Sequence, residues 1–175
     1  LDSKNGTFVQ GERIQRHDFT SDDSFAIGGR ERNVVLKAYL GIKRIFGTFV
    51  GVDSNEGLHD KFTSSIEFQK LLASTGIPVV PHSLYGTEAT SEAVLQSIAS
   101  HQLKASPSDL YVFCFNGHGH SDNLQCWQST LLKTTLEQEL AKIRCKKLVC
   151  IDSCFSSAGW TEFNSNTLFI FCSRD

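Results

Sequence analysis

Two short apolar runs, each cut off by polar and small residues, constrain this chain most. Leu110–Phe115 (LYVFCF) ends in Asn116-Gly117-His118-Gly119-His120, and Leu148–Ile151 (LVCI) ends in Asp152-Ser153-Cys154. Continuous apolar runs of this length suit strands buried on both faces, the texture of a parallel sheet covered by helices. Open sheets of that kind carry functional groups at the carboxyl ends of their strands. A histidine and a cysteine are thus expected on one rim.

The rest of the pattern agrees. Ile45–Val52, Ile77–Val80 and Thr167–Phe171 read as further strands. Asp60–Ser74 carries Phe62, Ile66, Phe68, Leu71 and Leu72 at helical spacing. Thr90–His101 opens on a Thr-Ser-Glu cap, and Leu131–Ile143 bears a stripe of Leu132, Leu136, Leu140 and Ile143. Alternating strands and helices predict an α/β fold with a mostly parallel sheet and helices on both faces.

The first thirty residues have another texture. Asn5-Gly6 before Thr7-Phe8-Val9, and Gln10-Gly11 before Arg13-Ile14, read as turns between short antiparallel strands. Together with the segment from Asp22 to Gly28, they resemble the second half of a forkhead-associated (FHA) domain, a phosphothreonine-binding β-sandwich. The half that would supply that family's binding arginine and serine is missing, so phosphopeptide binding is not credited to this segment by itself. The expected organisation is a partial FHA-like segment at 1–30, a linker at 31–43 and an α/β domain at 44–175. The chain opens on Leu1 and holds no methionine, so it reads as a fragment of a longer protein, with its second domain cut short.

At 40% hydrophobic and 21% charged, the 175 residues can bury a core. A net charge of −2, with both signs interspersed, gives no case for nucleic acid or an anionic membrane surface. No stretch reaches the roughly 18–20 apolar residues of a membrane span. Cys114, Cys150 and Cys172 sit inside strand-like runs, where a free cysteine acts as a small hydrophobe; a reducing, cytoplasmic setting is expected.

A cysteine peptidase needs a thiolate, a base and donors for an oxyanion. Cys154 supplies the first, His118 the second, and the backbone around Gly119 suits the third. The two side chains are thirty-six positions apart, room for one crossover helix joining adjacent strands. Asp152 would flank the nucleophile. A carboxylate there raises a thiol pKa rather than lowering it, so binding a basic substrate side chain explains it better than thiol activation. His120 is an alternative base. His118, His120, Cys126 and Cys154 are permissible zinc ligands, but their spacing fits no zinc-site pattern.

The NGHGH and IDSCFSS blocks resemble those of caspase-like cysteine peptidases, closest to metacaspases and paracaspases; caspases proper usually carry Gln-Ala-Cys at the nucleophile. The resemblance covers Arg44–Asp175. It implies an endopeptidase that cleaves protein or peptide substrates after arginine or lysine. His118 and Cys154 would be catalytic, the N–H groups of Gly119 and Cys154 would form the oxyanion hole, and Asp152 and Asp175 would line the S1 pocket. Calcium is a potential cofactor by the same resemblance. Phe155 and Ser157 depart from the family, which often has histidine and glycine there. The other reading is an inactive caspase-like scaffold with an FHA recruitment module.

Overall fold

The computed structural model describes residues 7–9, 12–14, 24–27, 34–37, 41–52, 61–161 and 166–172. The chain divides into two compact units, Leu1–Gly41 and Ile42–Asp175.

The first unit contains strands β1 (Thr7–Val9), β2 (Glu12–Ile14), β3 (Ser24–Ile27) and β4 (Val34–Lys37). They form an antiparallel sheet in the order β2-β1-β3-β4. Strand β4 falls inside the stretch read as a linker. Val34 and Val35 are β-branched and Leu36 is apolar, and the strand pairs along β3 from Ile27↔Val34 to Ser24↔Lys37. The Asn5-Gly6 turn of the FHA resemblance lies outside the described residues.

The second unit is the α/β fold the alternation predicted. Strands β5 (Ile45–Gly51), β6 (Val79–Tyr85), β7 (Leu110–Asn116), β10 (Lys146–Asp152) and β11 (Thr167–Cys172) form one parallel sheet, ordered β11-β10-β7-β5-β6. Helices α1 (Lys61–Ala73), α2 (Ser91–Gln102) and α3 (Lys133–Ala141) make the crossovers. Thr90 caps α2, accepting from the Ala93 N–H at 3.2 Å. The step from β5 to β6 runs one way across the sheet, whereas β6 to β7 and β7 to β10 run the other. If every crossover keeps the same hand, α1 must cover one face and α2 and α3 the opposite one. The packing agrees: Phe68 and Leu72 of α1 meet Ile45, Phe49, Val112 and Cys114. Val94, Ile98, Leu136 and Leu140 meet Phe46, Tyr111, Phe113, Val149 and Ile151 on the other side. Pro81 sits in β6 because that strand is an edge.

Two boundaries differ from the periodicity. Leu131 and Leu132 belong not to α3 but to β9 (Ser129–Leu132), which pairs with β8 (Asn123–Cys126) as an antiparallel hairpin. The turn between them is Trp127-Gln128, with Gln128 at φ 47°. It lacks the Asn-Gly or Asp-Gly signature that marks a two-residue hairpin in sequence. Strand β6 also extends to Tyr85, five residues past the apolar run. Among the described residues, no helix is long and apolar enough to cross a membrane.

Candidate active site

Strands β7 and β10 are parallel neighbours, with Asn116 opposite Asp152 at their carboxyl ends. The segments that follow leave the sheet side by side, next to the point where strand order reverses between β5 and β7. The Gly117 N–H donates to the Asp152 carbonyl at 3.2 Å, extending the ladder past the strand end. A Cβ on Gly119 would lie 2.6 Å from Ser153 Oγ and 2.8 Å from the carbonyl oxygen of Cys154. The histidine loop therefore rests on the backbone of the cysteine itself, with room there for glycine alone. His118 is half-buried, Cys154 is exposed, and Ser153 is buried.

The β8–β9 hairpin sets the histidine loop. Gly119 and Leu124 form an antiparallel bridge, flanked by Gln125 N–H to His118 C=O and His120 N–H to Asn123 C=O, both 2.9 Å. In that pattern the bridged residues are a non-hydrogen-bonded pair, so the Gly119 N–H points away from β8. Such a donor is what a developing oxyanion requires. His120 lies on the same loop, with an exposed side chain.

Asp152 is half-buried and accepts from Asn116 Nδ2 at 3.0 Å. Asn116 in turn accepts through Oδ1 from the buried Ser65 hydroxyl of α1. Only the amide nitrogen can donate to a carboxylate, so the relay fixes the orientation of both side chains. Neither Asn116 nor Ser65 stood out in the sequence. The only hint was a polar residue closing an apolar strand. Asp175 lies outside the described residues.

The six cysteines are all free. Burial pushes the Cys114 thiol up to about 11 and Cys126 up to about 12, and raises Cys145 and Cys150 as well. At Cys172 desolvation raises the pKa first and the Asp152 carboxylate adds to it. These shifts hold five thiols in the less nucleophilic form. Cys154 lies exposed in the turn beyond β10. Among the described residues, no three His, Cys, Asp or Glu side chains gather into a metal-binding group. The zinc set of His118, His120, Cys126 and Cys154 therefore does not assemble, and calcium finds no cluster among them.

The loop that follows β10 is unusual in its backbone. Phe155, beside Cys154, has φ 51° and is 61% exposed, and Gly159 has φ 76°. A bulky residue in the left-handed region costs on the order of 1–3 kcal/mol and persists only where its surroundings enforce it. Lys133, at the start of α3, contacts this loop. Its ammonium donates to the carbonyls of Phe155 and Ala158, both at 2.7 Å, and to that of Ser121 at 3.4 Å.

The fold defines a class, an α/β domain with a five-stranded parallel sheet. One solved structure of similar fold is the protein GSU0716 of Geobacter sulfurreducens, at TM-score 0.53 and 16% identity, with 63% of this chain and 50% of that one covered. The chain thus spans half the length of that protein, and the likeness is one of fold. No protein-family model matches the chain, and no curated protein matches it significantly.

Proposed function

We propose that the second unit is a cysteine endopeptidase of caspase-like type that cleaves after arginine or lysine. The observation that carries this reading is the packing of Gly119 against the Cys154 carbonyl, with a histidine and an exposed thiol on adjacent strand ends. His118 takes the thiol proton, and the Cys154 sulfur attacks the scissile carbonyl. The N–H groups of Gly119 and Cys154 hold the oxyanion, and His118 returns its proton to the leaving amine. Water then hydrolyses the thioester and frees the carboxylic acid product. Asp152, held by Asn116, receives the basic P1 side chain through a charge-assisted pair. Six free cysteines fit a reducing cytoplasm. A complete FHA domain in the parent protein would direct the peptidase to phosphothreonine-bearing partners.

Fluorogenic peptides with Arg, Lys or Asp at P1 test the reading. Cleavage after Arg and Lys is expected, falling to background in Cys154→Ala. Asp152→Asn should lower kcat/KM for Arg peptides by about 10- to 100-fold, the worth of a hydrogen-bonded charge. Equal turnover by wild type and Cys154→Ala would sink the peptidase; undiminished Arg selectivity in Asp152→Asn would remove the assigned role of that acid.

A further inference from the structure

Resting on that peptidase reading, we propose that Lys133 is a positioning residue that clamps the nucleophile loop to the histidine loop. Its side chain has no exposed surface, although lysine is almost never fully buried. The three carbonyls it meets belong to different segments. Ser121 follows the histidine loop, whereas Phe155 and Ala158 follow Cys154. They lie 12, 22 and 25 residues away in sequence, so the contacts do nothing for the local helix. An ammonium has three donors, and three carbonyls use them all. The Trp160 ring lies 5.7 Å from the ammonium, closing the pocket on a further side.

The same contact explains the strain beside the nucleophile. Phe155 presents its carbonyl to Lys133 while its φ stands at 51°. Gly159 passes so close to Ser121 that a Cβ there would run into the Ser121 carbonyl. Both loops are thus pressed together around one buried positive charge. That charge sits one peptide unit past Cys154. Lys147 provides the internal control: it is also buried, but its ammonium caps the carbonyls of Ile143 (2.8 Å) and Cys145 (3.3 Å), four and two residues away.

The test compares the full chain with Lys133→Met, Lys133→Arg and Lys147→Met, by the pH profile of Cys154 alkylation with iodoacetamide, by peptide cleavage and by thermal unfolding. Lys133→Met is expected to slow Cys154 alkylation across the pH range, because the loop that carries the thiol loses its anchor. Its kcat should fall about 100-fold with little change in KM, the cost of a nucleophile displaced by roughly 1 Å. Lys147→Met should lose stability and keep the wild-type profile and kcat. A folded Lys133→Met with wild-type alkylation profile and kcat would overturn the clamp. If Lys133→Met does not fold, Lys133→Arg decides: it keeps the charge but moves the donors. A reduced kcat with an unshifted profile then supports the clamp, and wild-type kcat overturns it. If even the wild type cleaves nothing, the peptidase reading fails alone, and the alkylation profiles still decide the role of Lys133.

Discussion

The two rims of the central sheet are built from similar residues put to opposite ends. At the amino-terminal rim, Arg44 grips Asp109 with two hydrogen bonds of 2.9 and 3.2 Å, and the Ser106 N–H and hydroxyl each add one at 2.8 Å. Burial alone would push the Asp109 carboxyl up; the hydrogen bonds from Arg44 and Ser106 outweigh it and hold the pKa down. Lys147 on that rim caps carbonyls of its own segment. At the carboxyl rim, the polar groups hold the loops and side chains beyond the strand ends. Lys133 bridges two loops, Ser65 of α1 holds Asn116, and Asn116 holds Asp152. The backbone there is strained at Phe155, and a cysteine stands exposed. One rim uses its charges to close the sheet, the other to hold an open site in shape.

That contrast can be broken in three places, taken from the largest expected effect down. Gly119→Ala forces a methyl group against the Cys154 carbonyl, so peptide turnover should drop on the order of 100-fold while cooperative unfolding is retained. Unchanged turnover would mean that the histidine loop does not register Cys154. Asp109→Asn should do the reverse, lowering the melting temperature by roughly 5 °C and leaving kcat per folded molecule unchanged. A loss of kcat without a loss of stability would erase the division of labour between the rims.

The smallest effect belongs to the helical layer over the sheet. His101 of α2 is buried, with its ring 5.5 Å from Phe46, 5.8 Å from Tyr111 and 6.2 Å from His82. Burial first, then the charges of His82 and Lys104, lower its pKa to about 4. An unfolded histidine titrates near 6.5, so between about pH 6.5 and 4 the unfolded chain binds a proton that the folded one refuses. Stability should therefore fall as pH drops through that window and stop falling below it. Urea midpoints at pH 7 and pH 4.5 should differ less in His101→Phe than in wild type. An equal difference would remove His101 as the cause.

The elements legible in the sequence were those with their own period. The apolar runs of β5, β7 and β10 and the capped start of α2 came out within a residue or two, because burial on both faces and a Thr N-cap leave local marks. The β8–β9 hairpin did not, since Trp127-Gln128 carries no turn signature and its leucines mimic a helix stripe. Lys133 was hidden for a similar reason: in sequence it is one lysine on a surface-like helix start, and only packing makes it buried.

By itself, then, the sequence determined the alternation of strand and helix and the histidine and cysteine carried beyond the two strand tips, since both are written in local pattern and side-chain type. Tertiary structure alone decided that the two tips are neighbours, that one glycine seats one loop on the other, and that a buried ammonium joins them. Those contacts link residues 12 to 36 positions apart. No local periodicity records such a pairing, because it is set by strand order and packing.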